Sequence, residues 1–300
     1  MHDFFLGTDS LELMDDLEPT QKEIGTPQAI VSGLYLVATP IGNLRDITLR
    51  ALDVMVGVDV VYCEDTRVSG KLLQAYGIKK KLAVYNDHSS DGVRKKIIES
   101  IEQGQSVALI SDAGTPLISD PGYKLVRDCL AARVNVTSLP GANAVLAGLQ
   151  LSGLPSDTFT FHGFLPSKSR ARKKVFEQWQ NVQTTHVFYE TGPRLEAALK
   201  DCLEIWRNRE VSVVRELTKR FEEIKAGTIK GLLDSFEKPK GEIVLVIGAP
   251  LEVEMSDVDI DGALRDALKI MSVKEAAAHV SGITGKPKKE LYARALDLKS

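Results

Sequence analysis

The sequence predicts an α/β protein of two domains followed by a small helical region, and three observations carry that prediction. The chain has 300 residues, about twice the usual allotment of roughly 150 per domain. Short apolar runs alternate with helix-like segments from Leu34 to Ile247, the pattern of strands covered by helices. After Pro250 the apolar runs give way to acids and then to short helical stretches. The expected division is therefore a leader at 1–32, an α/β domain at 33–153, a second α/β domain at 154–250, and a linker with a small helical, RNA-binding-like region at 251–300.

The leader holds seven acids (Asp3, Asp9, Glu12, Asp15, Asp16, Glu18, Glu23) against Lys22, a net charge of −6. The whole chain is −3, so residues 33–300 carry +3 and form a mildly basic body. An acidic, apolar-poor segment broken by Gly25 and Pro27 reads as a flexible tail. The start has no basic stretch followed by an apolar core, so it does not read as a signal peptide. No run reaches the ~18 apolar residues of a membrane span. Cys63, Cys129 and Cys202 are odd in number and far apart, which points away from a disulfide framework or zinc site and toward a reducing cytoplasm.

Leu34–Ala38 reads as a buried strand ended by Pro40 and Gly42. Helices follow at Thr48–Val56, with Thr48 as N-cap, and at Lys71–Tyr76, Gly92–Gln103 and Tyr123–Ala132. Strands are expected at Val58–Tyr62, Leu82–Tyr85, Val107–Ile110 and Val134–Leu139. A helix carrying Ala144, Leu146, Ala147 and Leu151 ends near Gly153. The second unit is expected to have strands at Phe159–Phe161, Thr185–Tyr189, Val211–Arg215 and Ile243–Ile247, and helices at Lys173–Gln180, Leu195–Trp206 and Ile229–Phe236. Residues 251–261 read as a linker. Ala263–Met271, Lys274–Val280 and Lys288–Leu298 read as tail helices, the latter two resembling a helix-turn-helix around Gly282 and Gly285.

Neither the dinucleotide fingerprint nor a phosphate-binding P-loop follows the first strand. The glycine-rich turns come later, at Ser111–Gly122 and at Pro140–Asn143, both at the carboxyl ends of strands, where open α/β sheets bind ligands. Each alone is compatible with ordinary turn chemistry; the two on one sheet edge favour a site. Gly114 admits close backbone approach, and Asp112 and Thr115 offer polar contacts. No His/Cys/Asp spacing suggests a metal. Lys168-Ser169-Arg170-Ala171-Arg172-Lys173-Lys174 places five bases at a helix start, where positive charge is unfavourable. It reads either as a solvated helix end or as a grip on an external anion such as an RNA backbone.

Val37-Ala38-Thr39-Pro40-Ile41-Gly42-Asn43-Leu44, Glu64-Asp65-Thr66-Arg67, Ser111-Asp112-Ala113-Gly114-Thr115-Pro116, Asp120-Pro121-Gly122, Phe164-Leu165-Pro166, Phe188-Tyr189-Glu190 and Arg215-Glu216-Leu217-Thr218-Lys219 occur in one order. Together they resemble the ribosomal RNA small-subunit methyltransferase I family, over about residues 33–250. That family is similar to the tetrapyrrole methylases. The resemblance implies a two-domain tetrapyrrole-methylase-like fold and a homodimer with S-adenosylmethionine between the domains. It also implies 2′-O-methylation of a cytidine ribose in 16S ribosomal RNA. By that resemblance Pro40, Gly42, Asp112, Ala113, Gly114, Thr115, Pro116, Leu117, Asn143, Ala144, Tyr189, Gly241 and Glu242 are the expected cofactor contacts. Lys168, Arg170, Arg172, Lys173 and Lys174 are the expected RNA contacts. The group that helps the ribose hydroxyl lose its proton stays open among Asp65, Arg67, His88, Glu190, Arg215, Glu216 and Lys219, with Glu190, Lys219, Arg67 and His88 foremost. Two other readings remain at this point: a porphyrinoid methyltransferase with the same cofactor cleft, and a non-catalytic RNA-binding ribosome-assembly protein.

Overall fold

Five short Val/Leu/Ile-rich runs pair as a fully parallel sheet: β1 (Gly33–Val37), β2 (Val60–Cys63), β3 (Leu82–Val84), β4 (Ser106–Ile110) and β5 (Val136–Leu139), in the order β3-β2-β4-β1-β5. The computed structural model describes residues 30–86, 89–250, 257–284 and 286–299. Most of the acidic leader lies outside them. Central β4 is buried at every position, as a strand covered on both faces must be. Its side chains alternate between two cores. Ala108 and Ile110 join Met55 of α1 (Leu49–Gly57) and Leu73 of α2 (Thr66–Ala75) on one face. Val107 and Leu109 join Ile97 of α3 (Asp91–Glu102) and Leu125 of α4 (Tyr123–Ala131) on the other. Thr48 caps α1 by accepting from the Ala51 N–H at 3.1 Å, as its position in the sequence suggests.

The chain leaves β1 toward β2 and leaves β4 toward β5, in opposite directions across the sheet. That reversal opens a crevice at the carboxyl ends of β1 and β4. A two-way backbone bridge between Thr39 and Gly114 ties the loops after these strands together there.

The second sheet has the order β6-β7-β10-β8-β9, from β6 (Phe159–Phe164), β7 (Thr185–Thr191), β8 (Glu210–Arg215), β9 (Glu223–Thr228) and β10 (Glu242–Ile247). Only β6 and β7 run parallel; the other pairs are antiparallel. Strand β9 is absent from the sequence expectation because Glu-Ile-Lys-Ala-Gly-Thr is a polar edge strand, mostly exposed. One face packs α6 (Ser169–Trp179), α7 (Gly192–Trp206) and α8 (Ile229–Asp234) around Phe176, Phe188, Leu199 and Leu245. The other face receives α5 (Ala144–Leu151) of the first unit: Val145 and Leu149 pack on Val187, Val214, Val244 and Val246. A Cβ on Gly148 would lie 2.6 Å from Val244 Cγ1, so a side chain there would force helix and sheet apart.

Helix α6 begins at Ser169, four residues before the expected start, and this changes the reading of the basic segment. Arg172 is buried. Its guanidinium donates to Asp201 of α7 at 2.8 Å and to the carbonyls of Pro166, Ser167 and Ala197. Lys173 binds Glu204 at 2.6 Å. Arg172 is therefore a helix-to-helix tie and not an RNA contact, and Lys173 is engaged in an ion pair. Lys168, Arg170 and Lys174 are exposed.

The tail is a three-helix unit: α9 (Asp257–Leu268), α10 (Val273–Thr284) and α11 (Lys288–Asp297). It has its own core of Leu264, Ala276, Ala277, Val280, Leu291 and Ala295. Helix α9 starts inside the 251–261 stretch expected to be a linker, and residues 251–256 lie outside the described residues. Ser272 and Glu275 form a reciprocal capping box at the start of α10.

A buried imidazole pair sits under α7. His162 Nε2 and His186 Nδ1 are 3.1 Å apart, Thr160 Oγ1 bonds both, and the rings of Trp206, Trp179 and Phe188 surround them. Burial holds both histidines down at about 4. Unfolded histidine titrates near 6.5, so below that pH the unfolded chain takes up protons that the folded chain refuses. Stability contributed by the neutral pair is full above pH 6.5 and falls as the pH drops toward 4. Thermal unfolding scans between pH 7 and 4.5 should show that loss, and His162→Phe should make it shallower; an unchanged slope refutes the assignment. A second expectation concerns Arg172. Arg172→Ala should destabilise by about 3–5 kcal/mol by taking the guanidinium from the buried Asp201 carboxylate, which keeps only Ser169 Oγ and a longer pair with Lys173 among the described residues. Arg170→Ala should stay within about 0.5 kcal/mol, both read from urea midpoints.

Candidate functional site

The loops at the carboxyl edge of the first sheet face the ends of β7, β8 and β10 across a cleft of about 220 Å³. From the first unit it is lined by Ile41, Asp112–Thr115, Ile118–Asp120 and Ala144. From the second it is lined by Phe164, Tyr189, Glu190, Val214, Glu216, Leu217, Lys219 and Glu242–Val244.

Three loops are bolted together to form the first wall. Gly114, at φ +84°, exchanges hydrogen bonds with Thr39, and Ser111 Oγ donates to the Gly114 carbonyl at 2.8 Å. Thr115 Oγ1 donates to the Ala142 carbonyl at 3.0 Å, and the Asn143 amide donates to Thr115 Oγ1 at 3.2 Å. Asn143 also caps α5 by accepting from the Leu146 N–H. Leu117 and Ser119 in the loop after β4, and Glu216 and Thr218 in the loop after β8, hold positive φ of 52–72° without being glycine. Such backbone costs of order 1–3 kcal/mol per residue and persists only where the surroundings fix it.

The polar lining is lopsided: it holds the carboxyls of Asp112, Asp120, Glu190, Glu216 and Glu242 against the single amine of Lys219. Lys219 Nζ lies 3.1 Å from Glu216 and 3.7 Å from Glu242. Burial pushes the Asp120 carboxyl up to about 6, against a hydrogen bond from Ser111 and with a push from Asp112. Burial, then the charges of Asp120 and Glu242, push the Tyr189 phenol up to about 12. Glu190 is fully buried, and burial raises its carboxyl despite the opposing Thr191 N–H at 2.8 Å and Arg194 at 3.1 Å. Its Oε2 has no hydrogen-bond partner among the described residues, in a wall of the cleft. A buried carboxylate oxygen without a partner is costly to the fold.

Of the residues expected from sequence, Asp112, Ala113, Gly114, Thr115, Ala144, Tyr189, Glu190, Lys219 and Glu242 meet in this cleft. Others stand behind it. Gly42 lies on the seam, where a Cβ would be 2.5 Å from Lys219 Cγ and 2.8 Å from the Leu217 carbonyl. Gly241, at φ +86°, lets Glu216 fold over it. Asn143 acts through Thr115 and the α5 cap. Pro40, Pro116 and Leu117 are outside the lining, with Leu117 turned toward the core under α4. Arg67 is exposed, outside the cleft, and forked onto Asp65, the cap of its own helix, whose carboxyl it holds down at about 2. Arg215 pairs with Glu223 and lines a separate groove. His88 lies outside the described residues. Asp120 and Phe164 are site residues that sequence reasoning missed, although both sit inside quoted motifs. The signal was there: Ser111–Gly122 is one loop, and both of its ends return to the cleft. No group of three or more His, Cys, Asp or Glu among the described residues is arranged to hold a metal ion. No described helix is long and apolar enough to cross a membrane.

Residues 33–233 match the family of Tetrapyrrole (Corrin/Porphyrin) Methylases, and residues 254–299 match the RsmI C-terminal HTH domain. A protein of Erythrobacter litoralis named ribosomal RNA small subunit methyltransferase I is 53% identical over 89% of this chain and 96% of its own length. One of the same name from Mesorhizobium japonicum is 46% identical over 89% and 92%. Among solved structures, diphthine synthase superposes with a TM-score of 0.58 at 15% identity, covering 78% of this chain and 94% of that one. A Thermus thermophilus uroporphyrin-III C-methyltransferase complexed with S-adenosyl homocysteine gives 0.51 at 20% identity, covering 72% and 97%. At these identities the structural likeness is one of fold. The fold, the ordered motifs and these relatives together place the chain in the tetrapyrrole methylase family, and within it in the ribosomal RNA small subunit methyltransferase I family.

Proposed function

We propose that this chain transfers a methyl group from S-adenosylmethionine to the 2′-hydroxyl of a cytidine ribose in 16S ribosomal RNA, working as a cytoplasmic homodimer. The observation that carries this reading is the interdomain cleft, whose lining holds five carboxylates and one lysine and where Glu190 Oε2 is buried without a partner among the described residues. Excess negative charge suits a ligand bearing a sulfonium and an ammonium, and it disfavours the carboxylate-rich porphyrinoid acceptor. The apolar lining of Ile41, Ala144, Val214 and Leu217 suits an adenine ring.

Bound S-adenosylmethionine supplies a methyl group already attached to a good leaving group. The protein's part is then to orient, to exclude water and to manage one proton. Gly114 offers backbone close to the cleft, and Asp112 and Asp120 offer acceptors to ammonium or ribose hydroxyls. Glu190, with its carboxyl raised by burial, is placed to accept the ribose proton. Lys219, steadied by Glu216 and Glu242, is placed to stabilise developing alkoxide charge. Outside the cleft, exposed Lys168, Arg170 and Lys174 offer charge to RNA phosphates. The tail adds Lys274, Lys286, Lys288 and Lys289 on a helix-turn-helix frame.

The direct test incubates the protein and S-adenosylmethionine with small ribosomal subunits from a strain lacking it, then digests the RNA and identifies its nucleosides. One ribose-methylated cytidine is expected in 16S RNA; none would sink the reading. The Asp120 carboxyl gives a second test. Calorimetric affinity for S-adenosylmethionine should tighten by about tenfold between pH 5 and 7.5 as Asp120 ionises, and Asp120→Asn should abolish that rise. A raised folded carboxyl loses stability as pH climbs from about 4 through 6, so the same variant should melt no lower than the parent at pH 7.5. A lower melting point would make Asp120 a structural group instead.

A further inference from the structure

The residue two positions beyond Lys219 is Phe221, and its ring is 66% exposed. Lone exposed aromatics are common and need no explanation. This one differs in how it is held. Its loop leaves β8 through two positive-φ residues, Glu216 and Thr218. The loop is then closed by Thr218 N–H donating to Glu222 at 2.7 Å and Glu222 N–H donating to the Lys219 carbonyl at 3.2 Å. Gly42 of the other unit abuts it at Lys219 and Leu217. An apolar ring thus stands in water on a braced, strained turn. The Arg220 guanidinium lies 5.7 Å from the ring centroid. A second exposed aromatic, Phe164, is 54% exposed and lines the cleft itself.

The electrostatics of the cleft say what such a rim is for. Its lining carries five carboxylates, so a phosphodiester backbone is repelled from it. An RNA that delivers a ribose there must keep its phosphates outside and be gripped by something uncharged. Bases of unpaired strands are free to stack on aromatic side chains, and paired bases are not. We propose that Phe221, with Arg220 beside it, is a stacking platform for an unpaired base of the RNA substrate at the rim of the cleft, Arg220 meeting the adjoining phosphate. This rests on the RNA-methylating reading and adds to it that the substrate is locally single-stranded.

The test uses the full chain and a fluorescein-labelled single-stranded oligoribonucleotide containing cytidines, followed by anisotropy at fixed salt, with the same strand annealed to its complement as control. Phe221→Ala should weaken single-strand binding by about fivefold or more, Phe221→Trp should stay within about twofold of the parent, and Phe221→Leu should resemble alanine. Duplex binding should not distinguish the variants. Calorimetric affinity for S-adenosylmethionine and the sedimentation coefficient should be unchanged in all of them. The platform is overturned if Phe221→Ala binds single strands like the parent, if leucine serves as well as tryptophan, or if Phe221→Ala changes the oligomeric state. A parent protein that binds single strands through Phe221 but methylates no ribosomal RNA sinks the proposed function and leaves the platform standing. A parent that methylates ribosomal RNA while Phe221→Ala binds normally does the reverse.

Discussion

The close approach of α5 to β10 at Gly148 and Val244 is the contact on which the rest of the molecule depends. A helix belonging to the first sheet's connectivity is laid on the open face of the second, so Val145, Leu149, Val187, Val214 and Val246 form one apolar seam. The cleft is where that seam runs out: Ala144 at the start of α5, and Val214 and Val244 on the sheet, belong to the seam's apolar cluster and to the cleft wall. The second sheet has its own helices on one face only. Without α5 it would expose a valine face to water, which at roughly 25 cal/mol per Å² is a strong reason for the two units to stay together. The cleft geometry is a by-product of core packing, and so it is rigid.

Onto that rigid frame the chain places groups that are costly by themselves. Glu190 is a buried carboxyl whose Oε2 has no hydrogen-bond partner among the described residues. Asp120 is held partly protonated near neutral pH by burial. Four non-glycine residues around the cleft occupy left-handed backbone. Each opposes folding, and the cores pack no better for any of them. Costs gathered at one place, away from the structural ion pairs such as Arg172 with Asp201, are what a site prepared for a ligand looks like.

The first sheet was legible because its strands are buried on both faces and therefore read as unbroken apolar runs between glycine and proline stops. The cap at Thr48 was legible for an equally local reason. What the sequence hid depends on partners distant along the chain. Strand β9 is polar because it is an edge, and edge strands look like loops. Arg172 looks like its exposed neighbour Arg170, and only Asp201, twenty-nine residues on, makes it structural. The acids after Pro250 suggested a linker, yet acids are also favoured in a helix's first turn, and α9 starts among them. Motif resemblance named loops that line the cleft, yet several of the residues it named do not face inward. Gly42, Gly241 and Asn143 matter through the space or hydrogen bond they give to Lys219, Glu216 and Thr115.

Charge is partitioned between the inside and the outside of the proposed site, and this partition has a consequence for specificity. A uniformly basic cleft would attract any phosphate-bearing strand and hold it by its backbone, which is alike in every sequence. Under the proposed reading, a negative cleft and exposed Lys168, Arg170 and Lys174 outside it, with the positive tail, separate the two tasks. The outer charges would then supply affinity that falls with salt and ignores sequence. The interior then favours a ribose whose flanking phosphates stay at the entrance on one side, and a cation on the other. The tail suits the first task because its core is its own: Leu264, Val280 and Leu291 pack within it, so it adds basic surface without disturbing the seam that shapes the cleft. Under the proposed reading, discrimination among riboses arises from the cost of bringing one nucleotide past the carboxylates, a barrier that a paired, stacked nucleotide does not cross.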